Sequence, residues 1–176
     1  KKSLSGEYKY GEETIRTYAM KAISSDRMAN AVVICATPWV GLRANCVLFE
    51  SNSKTDYGEG LGVARVGFRD IGFLETLQHE VCGHGFAKLD DEYIEDGEGK
   101  TYTGGVQYES KGWGKNVSVD GNPTTVKWAH FIADERYASE GIGVFEGALY
   151  FSYGAYRATE NSVMNDEGQF NAPSRE

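Results

Sequence analysis

Apolar and polar positions alternate along this chain in segments that read as separate elements. Ile15, Tyr18, Ala19, Ala22 and Ile23 recur close to helical spacing, which predicts an amphipathic helix over residues 12–30, packed on a sheet. The continuously apolar AVVICA, residues 31–36, reads as a buried strand that Pro38 and Gly41 end. CVLFE, residues 46–50, is a second strand candidate, and the polar stretch 51–60 a loop. LGVARV, residues 61–66, is a third strand, its neighbouring glycines suggesting an edge or a close backbone approach. Ile71, Leu74, Leu77 and Val81 then mark the expected buried face of a helix, with Asp70 as its N-cap.

After Tyr93 the periodicity fades. Residues 95–121 are rich in Gly, Glu, Lys and Tyr and predict long loops with at most one hairpin. KWAHFI, residues 127–132, is compact and aromatic, and residues 141–156 are rich in Gly and aromatics. Two patterns within these segments carry little chemistry. GEGLG lacks a Walker lysine and the full dinucleotide fingerprint. Asp96 and Glu98 lack EF-hand spacing, so a solvated acidic loop is the expectation there.

Composition narrows the class. With 176 residues the chain can bury a real core in one domain. A net charge of −8 argues against a nucleic-acid partner. No run is apolar enough to span a membrane as a helix, so no transmembrane segment is expected. Cys35, Cys46 and Cys82 are too few and too spread for a disulfide scaffold, and Cys82 reads as a small buried hydrophobe. The sequence lacks an initiator Met, so a missing leader says nothing about export. Its last residues carry no stop signal, and a longer parent chain is expected.

The chemistry concentrates in HEVCGHGFAKLDDEY, residues 79–93. Two histidines with a glutamate between them are the equipment of a zinc hydrolase: imidazoles hold the metal, and the carboxylate takes a proton from water. The familiar spacing is H-E-x-x-H, whereas His79 and His84 are five apart. On an α-helix a step of four leaves side chains roughly 40° apart, and a step of five roughly 140°. A π-bulge near Val81–Gly83, with its i→i+5 hydrogen bond, would restore a shared face, and Gly83 tolerates the distortion. The competing reading is two ordinary surface or capping histidines.

HEVCGHGFAKLDDEY together with YRATENSVM, residues 156–164, resembles the bacterial IgA-peptidase family of zinc metallopeptidases, its Bacteroides-type members in particular. SNSKTDYGEGLGVARV, KWAHF and GVFEG extend the resemblance over nearly the whole chain. Better-known members carry H-E-x-x-H, so the inserted residue departs from their pattern. The HELLGH helix of dipeptidyl peptidase III has the same five-residue step. The resemblance implies an α/β (α+β) fold: a zincin-like metallopeptidase catalytic domain over residues 1–176, with a twisted mixed sheet, an active-site helix and an irregular C-terminal subdomain. It also implies a secreted, cell-surface or periplasmic bacterial protein.

The resemblance further implies a ligand set. His79 and His84 hold Zn2+, and alignment on L-x-D-E-Y makes Asp91 the third ligand. A metzincin-like count gives Asp90 instead, and Glu92, His130 and Glu146 are also candidates for that position. Glu80 is the expected general base, with Tyr156, Arg157 or His130 stabilising the oxyanion. Ser162–Met164 resembles the turn that places a Met beneath the metal, against the plainer reading of a core Met. The strand at 60–66 would pair with an extended substrate. The expected substrate is protein or peptide, host glycoprotein included. Two other classes stand beside this one: an inactive zincin-fold surface module binding glycoprotein or glycan, and a structural metal site. The base at Glu80 argues against the first, and a structural site would prefer four closed protein ligands.

Overall fold

This computed structural model describes residues 18, 21, 30–35, 44–49, 61–67, 72–166 and 168–176. The protein is mixed α+β, and its sheets have mixed strand orientation. Contacts gather the chain into two compact units, Lys1–Phe86 and Ala87–Glu176. Of the expected helix at 12–30, Tyr18 and Lys21 are helical, and its other positions up to residue 29 lie outside the described residues.

The first unit contains a three-stranded sheet in the order β1-β3-β2. Strand β1 (Asn30–Cys35) runs parallel to β3 (Leu61–Gly67), with Asn30 opposite Gly62 and Cys35 opposite Gly67. Strand β2 (Asn45–Phe49) runs antiparallel to it, with Asn45 opposite Arg65 and Phe49 opposite Leu61. All three expected strands form within a residue of their expected limits. The expected role of the third does not hold. Strand β3 is the middle strand, and both its edges are occupied, so it has no open edge to offer a substrate. Burial of Val63, Ala64 and Val66 fits a central strand, whose side chains need cover on both faces.

Helix α1 (Phe73–Leu77) follows, with Gly72 rather than Asp70 at its N-cap. Gly72 has φ 92, a left-handed conformation that glycine adopts without a Cβ clash, and no side chain caps this end. Asp70 lies outside the described residues. The expected buried face also needs correction. Leu74 is 67% exposed, and the buried residues further along the same helical run are Glu80, Gly83 and Gly85. The 3.6-residue period used to assign that face does not hold past Leu77, where the helix changes type.

In the second unit, strand β7 (Tyr150–Arg157) pairs with three others. It is parallel to β4 (Ile94–Thr101) and antiparallel to β5 (Val117–Ser118) and β6 (Phe145–Ala148). Strand β4 was expected as loop, because IEDGEGKT has neither alternation nor β-branched enrichment before Thr101. Its pairing is long-range and irregular, with register shifts on either side of Gly97. A Cβ at Gly97 would come within 2.6 Å of the Phe151 ring and the Tyr150 carbonyl, so glycine permits the approach of the two strands.

The apolar residues of this unit form small separate clusters. Trp128, at the start of α2 (Ala129–Ile132), packs with Val126, Phe131, Ala158 and Ala172. Its indole N–H donates to the Gly143 carbonyl at 2.8 Å, which satisfies the polar edge of the buried ring. A second cluster, Leu89, Val163 and Met164, lies under the segment that leaves the histidine helix. A short helix α3 (Ala172–Arg175), capped by Asn171 accepting from the Ser174 amide, ends the chain.

Candidate metal centre

From Gln78 to Ala87 the helix is a π-helix. Its i→i+5 ladder carries residues five apart to the relative position that residues four apart hold on an α-helix. His79 and His84 therefore share a side. Their Nε2 atoms are 3.1 Å apart, with ring centroids at 4.7 Å and planes at 81°. The expected bulge is thus present, and it extends over ten residues rather than one turn. Gly83 and Gly85 are buried within it. Cys82 is exposed, so the inserted position faces solvent and is not the buried hydrophobe that its residue type suggested.

The separation of the two nitrogens suits a metal. With zinc–nitrogen bonds of about 2.0–2.1 Å, two tetrahedral ligands stand roughly 3.3 Å apart. The same spacing also suits one N–H···N hydrogen bond between neutral rings, so the imidazoles can hold their arrangement without an ion. Within the continuous stretch 79–91, one ligand atom each from His79, His84 and Asp91 all lie within 4.8 Å of one another. Two imidazoles and one carboxylate are a donor set that zinc accepts, with a fourth position open. Glu80 is buried, 6% exposed, immediately beside the first histidine.

Asp91 sits in a segment whose backbone is held from several directions. Lys88, with φ 58, ends the helix in a left-handed turn, and its carbonyl accepts from the Gly114 amide at 2.8 Å. Leu89 anchors the next position in its apolar cluster. The Asn116 side chain pairs with both polar backbone groups of Asp90, at 3.0 and 2.8 Å. The Asp91 carbonyl accepts from the Leu149 amide at 2.9 Å, and the Glu92 amide donates to the Met164 carbonyl at 2.8 Å. Asp91 itself is 6% exposed.

Glu92 belongs to this scaffold. Its Oε1 accepts from Asn116 Nδ2 at 2.8 Å and its Oε2 from Ser162 Oγ at 2.6 Å, in a fully buried site. Charge-assisted hydrogen bonds of this kind tie residue 92 to residues 116 and 162. Ser162 Oγ also accepts from the Met164 amide at 3.0 Å. Met164 is wholly buried against Leu89 and Val163, so the turn at 162–164 supports the exit segment from below.

The remaining sequence candidates are engaged elsewhere. Among the described residues, neither Asp90, His130 nor Glu146 joins the His79, His84 and Asp91 group. His130 Nε2 lies 3.7 Å from Glu176 Oε1, and Glu146 Oε1 accepts from the Gly154 amide at 3.0 Å. The Arg157 guanidinium donates to the carbonyls of Glu146, Gly147 and Glu160. Burial pushes its pKa below the usual value, opposed by the nearby Glu92 and Glu160 charges. Tyr156 lies against Gly121, where a Cβ would stand 2.5 Å from its ring.

Tyr150 was not among the candidates. Its hydroxyl donates to Asp91 Oδ2. Burial, followed by the Asp91 charge, pushes the phenol far above its usual pKa, so it stays protonated and remains a donor. The residue occupies an unusual place. Ala148 is opposite Phe151, so Leu149 and Tyr150 form a two-residue hairpin tip, and both have positive φ, 54 and 72. Such tips favour Asn-Gly, and each non-glycine residue in this region costs roughly 1–2 kcal/mol. The Tyr150 amide donates to the Tyr93 carbonyl at 3.0 Å, and the Tyr93 and Tyr150 rings meet edge to face at 5.2 Å. GALYFSYG contains no Asn-Gly or Asp-Gly pair, so the sequence signals neither the reversal nor the tyrosine's role.

Comparison with protein-family models and with curated proteins finds no match to this chain.

Proposed function

We propose that this chain is a zinc-dependent endopeptidase of zincin type, acting on peptide bonds of extracellular proteins. One observation carries the reading: His79 and His84 converge, Nε2 to Nε2 at 3.1 Å, through a π-helix that a five-residue spacing requires and a structural helix does not. The Asp91 carboxylate supplies a third donor from the same stretch. The resemblance of HEVCGHGFAKLDDEY and YRATENSVM to the bacterial IgA-peptidase family supports the same class, and with it a secreted or cell-surface setting. A mixed sheet followed directly by the histidine-bearing helix supports a zincin-like arrangement.

His79, His84 and Asp91 would hold the metal. Zinc bound there supplies a Lewis acid for the scissile carbonyl and a more acidic water. Glu80 accepts the proton of the attacking water and returns it to the leaving amine. Burial of Glu80 keeps bulk water from competing for that transfer. Asn116, Ser162 and Met164 hold the segment that carries Asp91.

The test is cleavage of a peptide library by the zinc-loaded protein and by Glu80→Gln. The wild type should cleave, and Glu80→Gln should retain zinc while losing about 100-fold or more of the rate. An undiminished rate in Glu80→Gln would remove Glu80 as the base. A zinc-loaded wild type that cleaves nothing would favour the inactive surface module.

A further inference from the structure

We infer that Tyr150 is a positioning residue that fixes Asp91 as a one-oxygen metal ligand, an inference resting on the reading of Asp91 as a ligand. The hydroxyl of Tyr150 donates to Asp91 Oδ2. An oxygen held in that bond is a weaker donor to a cation, so coordination is directed to Oδ1. Hydrogen bonds to ligating carboxylates orient them and tune their basicity in this manner.

The fold builds this contact in three ways. The Leu149 amide donates to the Asp91 carbonyl and the Tyr150 amide to the Tyr93 carbonyl, so the hairpin tip is docked on the backbone at both sides of Glu92. Tyr93 packs against the Tyr150 ring and limits its rotation. Leu149 and Tyr150 hold left-handed conformations that side chains rarely adopt. Strain of this kind persists only where the surroundings fix it, and it concentrates at functional sites. A hairpin needing only to reverse direction would use glycine or asparagine there. Here the reversal carries a tyrosine whose hydroxyl reaches the carboxylate.

The experiment is a double-mutant cycle on zinc affinity, measured on metal-free protein by chelator competition. Wild type, Tyr150→Phe, Asp91→Ala and the double replacement are compared. Tyr150→Phe should weaken zinc binding by about 10–100-fold. In the Asp91→Ala background it should cause no further loss, because its effect passes through that carboxylate. Cobalt substituted for zinc should give a changed visible absorption spectrum in Tyr150→Phe, as Asp91 gains freedom to bind through both oxygens. Wild-type affinity and an unchanged cobalt spectrum in Tyr150→Phe would overturn the inference. So would an equal loss in both backgrounds, which is what general misfolding would give. A wild type that binds no zinc would instead remove the metal centre itself, and this role with it.

Discussion

His79 Nε2 lies 3.1 Å from His84 Nε2 across five residues of helix, a separation that regular α-helix cannot produce. The π-helix from Gln78 to Ala87 accounts for it. Deleting Cys82, which is exposed, should therefore leave an H-E-x-x-H helix that still binds zinc. The deletion keeps His84 on the face it already shares with His79, but the rest of the ten-residue π-helix must rewind as α-helix against its packing partners. Loss of stability, on the order of 3 kcal/mol, should exceed the effect on metal affinity. Urea unfolding of the metal-free protein and chelator competition measure the two separately. A deletion that abolishes zinc binding at full stability would contradict this account of the spacing.

Asp91 and Glu92 are adjacent and should behave oppositely. Asp91→Ala should weaken zinc by more than the roughly 10–100-fold typical of changes outside the ligand shell. Glu92→Ala would leave the Asn116 amide and the Ser162 hydroxyl without their buried acceptor, and should destabilise the protein by about 2–5 kcal/mol. Zinc content and unfolding midpoints of the two variants give the ranking. The reverse ranking would make Glu92 the ligand.

Much of this was legible in residue order, and the rest depended on contacts between distant segments. The five-residue histidine step contains its own geometric solution, because helix rotation per residue is local. Strands β1, β2 and β3 were legible as compact apolar runs. The place of β3 between its neighbours was not, since strand order is set by pairing partners. Strand β4 carries no β signal of its own and is held by β7, about fifty residues away. Leu74 matched the helical period and is nevertheless exposed, in a five-residue α-helix that buries none of its residues. Tyr150 gave no signal, since its role depends on a hairpin tip meeting the 91–93 backbone.

Gly114 should be sensitive although it lies outside the metal-binding stretch. It has φ 61, and a Cβ there would stand 2.5 Å from both Asp90 Oδ2 and Val106 Cγ1. Its amide also holds the Lys88 carbonyl at the helix exit. Gly114→Ala should cost about 2–4 kcal/mol from backbone strain and overpacking together. A thermal unfolding scan checks this against Gly112→Ala. Gly112 also has positive φ, 81, but nothing lies within 4 Å of its Cβ position, so that variant isolates the strain.

The central claim is that His79 and His84 hold one zinc, and metal content tests it most directly. Protein loaded with zinc and dialysed against metal-free buffer should retain one zinc per chain by elemental analysis. His79→Ala and His84→Ala should each reduce that content, and the double replacement should abolish it while the fold persists by circular dichroism. Full zinc retention in the double replacement would contradict the claim.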